Sequence, residues 1–307
     1  EGTLGEDELL GTASLHPWAV PDPSPVLATR WGPGELVIGG TRVIEEGDSL
    51  EIAPGTTLRF APGAGLVCRG TVRAEGTAEH PILFLPVSPS TSWGGLALQG
   101  QGASGSRFSH CRWEGAWGFE HDLIRYPAAV SVHDARDVSF EEIAILGSGA
   151  GKAGLRIASA QEVRLQGGSF RDLGGDGLEV LFSGVTLRDI SVRESEGHAL
   201  DLFRSRLSAA GCSLSRSGVS LLSLDEGSEV DWEGGLLESA PIGAEILDGS
   251  RLGMEGTILR GLATGFVLKQ DDGERGGTLK AEGIAAEGCG RILVRDAAST
   301  GEGGRSR

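Results

Sequence analysis

The fold is indicated by residues 174–202, which read GGDGLEVLFSGVTLRDISVRESEGHALDL. Leu178 and Val180 in this stretch recur 22 residues later as Leu200 and Leu202. The two columns continue along the chain as Leu222, Ala244 and Phe266, and as Leu224, Ile246 and Leu268. Within each period apolar and polar residues alternate, which is typical of strands with one buried face. Ten apolar positions in two columns therefore indicate a structural repeat.

The length of the period restricts what each repeat contains. A unit of 22 residues holds three short strands and three turns, whereas a strand–helix unit would leave too few residues for its helix. Gly and Asp clusters, such as 174–177 and 225–228, punctuate the strands where turns need positive φ angles. Stacked repeats would pair equivalent strands in parallel about 4.8 Å apart. We therefore predict an all-β, single-stranded parallel β-helix of about ten or eleven coils of about 22 residues.

The ends of the chain and one internal segment differ from this pattern. Residues 1–30 contain four prolines and an acidic start, and we interpret them as an N-terminal cap or connector. The β-helix is predicted over 31–297. Within it, residues 100–135 concentrate bulky aromatic side chains, which indicates a projecting loop. Residues 298–307 are predicted to be a flexible tail.

Composition excludes several classes of function. The 307 residues carry 27 Lys and Arg against 43 Asp and Glu, a formal net charge of −16. Such a charge opposes binding to nucleic acid and to anionic lipid. No apolar run is long enough to span a membrane. The four cysteines are too far apart for a disulfide scaffold or a CxxC metal site, and are predicted to be mostly buried thiols, with one disulfide between stacked cysteines left open.

Four stretches near the N-terminus carry a family resemblance. They are WGPGE at 31–35, APGTTLRFAPG at 53–63, GTVRAEGTAEHPI at 70–82 and WGG at 93–95. Together they resemble the opening of bacterial right-handed parallel β-helix proteins of the pectate-lyase-like superfamily. With coils like 174–180, they are most similar to the β-helix region joined to CotH-like, spore-coat kinase-type domains in large envelope proteins.

The resemblance implies a right-handed β-helix over about 31–295 and an extracellular, cell-surface or periplasmic location in a bacterium. It implies no kinase activity, because the kinase-type region is absent. The superfamily includes lyases, hydrolases, uronan epimerases, tailspikes and adhesins, and the fold does not select among them.

One outward-facing row of residues is a candidate site. It contains one residue per coil: Arg156, Glu179, Asp201, Ser223, Glu245 and Val267. Glu179 and Asp201 would lie about 5 Å apart on adjacent strands, the arrangement of nucleophile and acid/base in a retaining glycosidase. His198 could add a base, and Arg156 could bind a uronate carboxylate.

The same acids have two other interpretations. Asp176, Glu179 and Asp201 are candidate Ca²⁺ ligands, and calcium is the one cofactor that the chain suggests. Alternatively, the row is simply the polar face that an exposed strand must have.

The aromatic segment supplies a second set of candidate ligand-binding residues, namely Trp117, Phe119, His121 and Tyr126. Aromatic faces can stack on sugar rings, with neighbouring polar groups available for hydrogen bonds. Alternatively, these side chains pin the loop onto the β-helix.

The interpretation favoured by the sequence is a noncatalytic structural module that presents a binding face to a protein partner or an assembly. Self-association through the ends of the β-helix is part of this prediction. The alternatives are a polysaccharide-binding module, or a carbohydrate-active enzyme (uronan lyase, hydrolase or epimerase) that acts through Glu179 and Asp201.

Overall fold

The computed structural model describes residues 27–270 and 275–303. Most of the predicted cap, residues 1–26, therefore lies outside the described residues. Apart from one 3₁₀ turn at Gln101–Ala103, the described elements are strands. In chain order they are β1 Ala28–Trp31, β2 Gly34–Ile38, β3 Arg42–Ile44, β4 Ser49–Ile52, β5 Thr56–Phe60, β6 Gly65–Cys68, β7 Thr71–Glu75, β8 Ile82–Pro86, β9 Gly95–Gln99, β10 Arg107–Ser109, β11 Cys111–Ala116, β12 Phe119–His121, β13 Ile124–Tyr126, β14 Ala128–His133, β15 Ser139–Ser148, β16 Ala153–Ala158, β17 Val163–Leu173, β18 Leu178–Leu181, β19 Gly184–Ser195, β20 Leu200–Phe203, β21 Arg206–Ala210, β22 Ser213–Ser217, β23 Ser220–Asp225, β24 Glu229–Glu233, β25 Leu236–Glu238, β26 Ile242–Leu247, β27 Arg251–Glu255, β28 Ile258–Arg260, β29 Thr264–Lys269, β30 Thr278–Glu282, β31 Ala285–Glu287, β32 Arg291–Arg295 and β33 Thr300–Gly303.

These strands wind into a right-handed parallel β-helix of about 12 turns, which confirms the predicted fold class. Each full coil contributes one strand to each of three faces. Sheet 1 has 11 strands, from β3 through β6, β9 and β14 to β32. Sheet 2 runs from β1 through β4 and β7 to β33, and sheet 3 from β2 through β5 and β8 to β31. Sheets 2 and 3 share the long strands β15, β17 and β19, which bend at the corner between them.

The predicted register is confirmed in the central coils. Leu178 pairs with Leu200 and Val180 with Leu202, and the same columns continue through β23, β26 and β29. The side chains of both columns are buried in one continuous core. Alternation along the strand then turns Glu179 and Asp201 outward, so the outward row follows from the register.

The corners depend on left-handed backbone conformations. The bend between sheets 2 and 3 falls at Glu142, Gly167 and Asp189 in successive coils, with φ of 49°, 65° and 54°. A Cβ atom at Gly167 would lie 2.1 Å from Glu142 Oε1, so a larger residue there would require the Glu142 side chain to move. Glycine occupies the same corner in the next coils, at Gly211 and Gly234. The glycine-rich composition therefore reflects stacked corners.

A ladder of buried serines forms the corner between sheets 1 and 2. The hydroxyl oxygens of Ser205, Ser228 and Ser250 each accept a hydrogen bond at 3.1 Å from a backbone N–H of the preceding coil. Ser183 does the same for Ala160 at 3.0 Å. These hydroxyls satisfy backbone donors that the tight corner would otherwise leave buried without a partner.

Residues 100–135 differ from the prediction of one projecting loop. Most of the segment forms regular coil strands, and only the antiparallel hairpin β12–β13 projects. The reason is that several of its aromatic side chains belong to the core: Trp113 is buried and stacks on Phe84 at 4.9 Å between ring centroids. Phe108 stacks on Phe140 at 5.2 Å in the same layer of coils.

The two chain ends also correct the predicted boundaries. Strand β1 begins at Ala28, inside the predicted cap, and pairs with β4. Strand β33, inside the predicted tail, extends sheet 2 by pairing with β30. The physical reason is that both segments find a neighbouring strand with free backbone groups. Residues 304–307 lie outside the described part of the chain.

Two further findings concern membrane spans and cysteines in the described residues. None of their helices is long and apolar enough to cross a membrane. All four cysteines are free thiols, with Cys68, Cys111 and Cys212 buried and Cys289 partly exposed. The alternative of a disulfide between stacked cysteines is therefore wrong, because the residues paired with Cys68 and Cys111 in the adjacent coils are not cysteines.

Candidate functional site

The outward row of sheet 1 brings the predicted residues together. Arg156 pairs with Glu179, Glu179 with Asp201, and Asp201 with Ser223 across strands β16, β18, β20 and β23. Glu245 follows Ser223 on β26. Parallel strands lie about 4.8 Å apart, so Glu179 and Asp201 are direct neighbours in the row.

Glu179 and Arg156 form an ion pair at the N-terminal end of the row. Their side chains are only 20% and 23% exposed, so this pair is screened less by solvent than the pairs on the other faces. Burial raises the pKa of the Glu179 carboxyl, and the hydrogen bond from Arg156 partly opposes that shift. The guanidinium therefore opposes the effect of burial and favours the ionised form of the carboxylate.

Asp201 lies in a different environment, although it is the next residue in the row. Burial is the largest effect and raises the pKa of its carboxyl. A hydrogen bond with Ser223 and a positive charge on His198 oppose this shift, whereas the negative charges of Asp176 and Glu245 add to it. It has no arginine partner among the described residues. The two carboxyl groups thus share a raised pKa but differ in their partners, since Glu179 is paired with an arginine and Asp201 is not.

Asp176 and His198 lie at the edge of the row. The Asp176 carboxylate accepts a hydrogen bond from the backbone N–H of His198 at 2.7 Å. Asp176, Glu179 and Asp201 were candidate calcium ligands, but within residues 27–270 and 275–303 no three acidic, His or Cys side chains are placed to hold a metal ion. Each of the three already has a protein partner, so we derive no chemistry through calcium, and calcium binding stays a prediction.

A second outward row, which the sequence analysis missed, flanks the carboxylates with apolar groups. Leu181 lies two residues after Glu179 on β18, and Phe203 lies two residues after Asp201 on β20. Leu181 and Phe203 are paired across these strands. Phe182, 49% exposed, packs edge-on against Phe203 with 5.4 Å between ring centroids. The signal was present in the alternation, since residues two apart on a strand share a face. The carboxylates therefore have an aromatic surface beside them.

The aromatic hairpin occupies the N-terminal end of the same sheet. Phe119 lies on Gly65 and Gly94, where a Cβ atom would be within 3 Å of its side chain. Tyr126 is 1% exposed and packs against Val67 and Ala97 of sheet 1. The structure thus places both rings as anchors of the hairpin, which corresponds to the alternative interpretation of this segment.

The remaining predicted residues of this segment lie nearer to solvent. Trp117 is 56% exposed and covers Gly149 at the edge of the sheet, two coils before Glu179. His121 contacts Asp122, with 3.4 Å between Nε2 and the carboxylate, and Asp122 is bound by Arg69 at 2.6 Å. Of the four candidate residues, Trp117 presents the largest free ring to a ligand on sheet 1.

His133 connects the hairpin to the outward rows. Its ring lies 5.5 Å from that of Tyr126, and its strand is paired with that of Arg156. Burial, and then the positive charge of Arg156, lower the pKa of His133 to about 4. The folded protein therefore holds a neutral imidazole here.

This shift predicts a pH dependence of stability. The pKa of His133 is lower in the folded chain than the ordinary value near 6.5, so the unfolded chain binds more protons between pH 6.5 and about 4. The free energy of unfolding should fall with pH across that range by about 2 kcal/mol, after allowance for partial solvent exposure. Denaturant titrations should show this loss reduced in His133→Gln but retained in the exposed-site control His80→Gln; equal losses in all three proteins would contradict the shift.

A separate concavity of about 410 Å³ lies on the outer face of sheet 2. Its floor contains the small residues Ser208 and Gly253, and its rim contains the exposed acids Glu233 and Glu255. None of the predicted site residues lines it. Because its carboxylates are solvated, it has less capacity for acid/base chemistry than the row on sheet 1.

Comparisons with known proteins support the fold. No protein-family model and no curated protein sequence matches the chain. Among solved structures, the chain is similar to the A-module of the mannuronan C-5 epimerase AlgE4 from Azotobacter vinelandii, at 14% identity and a TM-score of 0.54, over 90% of this chain and 91% of that one. A variant of the periplasmic alginate epimerase AlgG is similar at 11% identity and a TM-score of 0.50, over 88% and 75%. At such identities the likeness shows the β-helix fold, and the resemblance to CotH-linked β-helices stays a prediction.

Proposed function

We propose that this chain binds a polysaccharide along the outward face of sheet 1 and acts on it through Glu179 and Asp201. The observation that carries the proposal is the pair of half-buried carboxyl groups on adjacent coils, both with raised pKa values and only one held by an arginine. Perturbed pairs of this kind cluster at functional sites. The alginate epimerases of similar fold support a polysaccharide ligand over the scaffold role that the sequence favoured.

Glycoside hydrolysis fits the two carboxyl groups best. Asp201, which has no arginine partner among the described residues, donates its proton to the leaving oxygen as the Glu179 carboxylate beside Arg156 attacks the anomeric carbon and the glycosidic bond breaks. Asp201 then accepts a proton from a water molecule that cleaves the glycosyl–Glu179 ester, which releases the sugar and restores both carboxyl groups. The two residues are paired on neighbouring strands, which lie about 4.8 Å apart, and this spacing favours a retaining over an inverting mechanism. An open sheet face without a closed pocket suits a long chain that lies along the β-helix axis.

The charge of the row favours a neutral sugar over a uronate. Asp176 and Glu245 have no ion-pair partner among the described residues, and the nearby Arg156 already pairs with Glu179. A uronate carboxylate would meet repulsion from these acids, whereas a neutral ring can donate hydroxyl hydrogen bonds to them and pack beside Phe203, over whose ring the Arg204 guanidinium lies at 5.5 Å. This proposal selects the hydrolase from the three enzyme classes considered.

The proposed site of action is outside the cytoplasm. A polymer ligand is reached most directly at the cell surface, in the periplasm or in the medium, and one protein of similar fold is named as periplasmic. A bacterial source and an envelope assembly belong to the same proposal.

Co-sedimentation tests the binding proposal. We expect the protein to pellet with a neutral insoluble glucan or mannan and to release new oligosaccharides, with weaker binding to alginate and pectate. Chromatography of the same supernatants, with and without Ca²⁺ and a chelator, shows whether products form and whether calcium contributes. Stronger binding to the uronans would contradict the charge argument, and absence of binding to every polymer would favour the protein-partner scaffold.

The apolar row supplies a residue-level prediction. Phe203→Ala should weaken glycan binding about tenfold, because a stacked aromatic ring contributes on the order of 1 kcal/mol or more. The control is Val37→Ala, which removes an exposed apolar side chain from sheet 3. Equal affinities for Phe203→Ala and Val37→Ala would show that the ligand does not lie along sheet 1.

A further inference from the structure

Two hydrogen bonds hold His198 at the edge of the row, between the coil below and the coil above. Its backbone N–H donates to Asp176 Oδ1 at 2.7 Å. Its ring Nδ1 lies 2.6 Å from Ser220 Oγ. Both partners are 22 residues away, one in each direction, so the repeat itself stacks Asp176, His198 and Ser220. The ring is thereby fixed in orientation rather than free to rotate.

The surroundings of Ser220 indicate which atom carries the proton. Ser220 is fully buried, and its hydroxyl also lies 3.2 Å from the carbonyl oxygen of Leu222. A carbonyl oxygen can only accept, and a hydroxyl has a single hydrogen to donate. When Ser220 donates to Leu222, its oxygen must accept from Nδ1–H of His198. The neutral imidazole then has its lone pair on Nε2.

The Nε2 atom is the free end of this chain of hydrogen bonds. The His198 ring is partly exposed, and among the described residues none donates to or accepts from its Nε2. A positive charge on the His198 ring would lower the pKa of Asp201, so the ring lies near the proposed proton donor. The lone pair is therefore available to a ligand bound beside Asp201.

We propose that Ser220 is a positioning residue, which keeps neutral His198 protonated on Nδ1 so that Nε2 accepts a hydrogen bond from a sugar hydroxyl bound at Asp201. This inference rests on the proposed function for its ligand, while the tautomer itself does not. It makes His198 a specificity-determining residue: a sugar with a free hydroxyl at this position is accepted, and one whose oxygen is methylated leaves the lone pair unpaired.

The tautomer is measured directly by ¹H–¹⁵N NMR of the full chain labelled on histidine nitrogen. Spectra are recorded without glycan at about pH 9, above the usual titration range of imidazole. The six histidines are distinguished by comparison with a His198→Gln variant. We expect His198 Nδ1 to have the shift of a protonated nitrogen and Nε2 that of an unprotonated one.

Two variants of Ser220 and one control distinguish a role of its hydroxyl in positioning His198 from a general loss of structure. Ser220→Ala should move the His198 population towards the Nε2–H form, and Ser220→Thr, which keeps the hydroxyl, should restore the Nδ1–H form. The matched control is Ser228→Ala, which removes another buried serine hydroxyl from a neighbouring corner and should leave the His198 shifts unchanged.

Two results would overturn the inference: a wild-type His198 protonated on Nε2, or a tautomer that is the same in Ser220→Ala. Because no glycan is present, these results are independent of the co-sedimentation assay. A correct tautomer in a protein that binds no polysaccharide would refute the proposed ligand while leaving the positioning role of Ser220 intact.

Discussion

An Asp201→Asn variant should turn over its glycan about 10³-fold more slowly than the wild type, with binding largely retained. General acid/base groups contribute on this scale, and an amide cannot supply the proton that the leaving oxygen needs. The Asn side chain keeps the size of Asp201 and an oxygen that can accept from Ser223. The measurement is the initial rate of product release on the neutral polymer that co-sediments.

The stability of the same variant provides a second readout. Burial raises the pKa of Asp201 above its ordinary value, so the folded chain binds this proton more strongly than the unfolded chain does. Ionisation of the carboxyl near neutral pH therefore costs free energy in the folded state. That cost disappears as pH falls through the raised pKa. Asp201→Asn removes this free-energy cost of ionisation, so the variant should be at least as stable as the wild type at pH 7.

The matched control is Asp231→Asn, which changes an exposed outward carboxylate on sheet 2 by the same atoms. It should leave turnover unchanged. A slow but destabilised Asp201→Asn would indicate a structural role, and equal rates in both variants would remove Asp201 from the chemistry.

Leu200→Ala should lower the free energy of unfolding by about 3 kcal/mol. Leu200 is fully buried in the longest apolar column, with Leu178 in the coil below and Leu222 in the coil above. Removing a buried leucine side chain costs the transfer free energy of its methylene and methyl groups and leaves a cavity that close-packed neighbours fill only in part. Denaturant unfolding followed by circular dichroism measures the change.

Leu123→Ala is the control, because it makes the same substitution at the hairpin tip, where the side chain is 93% exposed. The free energy of unfolding should change by less than about 0.5 kcal/mol. A loss below about 1 kcal/mol for Leu200→Ala would mean that the coils around it unfold independently or repack without a cavity, which contradicts a continuous core.

The parts of the site that could be predicted are those set by strand alternation. The positions of Glu179 and Asp201 on one outward row follow from the buried columns on either side of them, because side chains alternate across a strand. Phe203 obeys the same rule and could have been found in the same way. Exposure was less predictable: Tyr126 and Trp117 belong to one aromatic segment, yet the first is buried and the second is half exposed.

By itself the sequence determined the repeat, and with it the parallel pairing, the core columns and the outward row. These follow from local periodicity, since each coil repeats the same alternation and stacks on its neighbour. Only the tertiary structure decided that Arg156 neutralises Glu179 and not Asp201, that burial raises the pKa values of both carboxyl groups, and that Ser220 lies against His198. Those properties depend on side-chain direction, solvent exclusion and contacts between coils, which act over distances in space that a linear pattern of residue types does not encode.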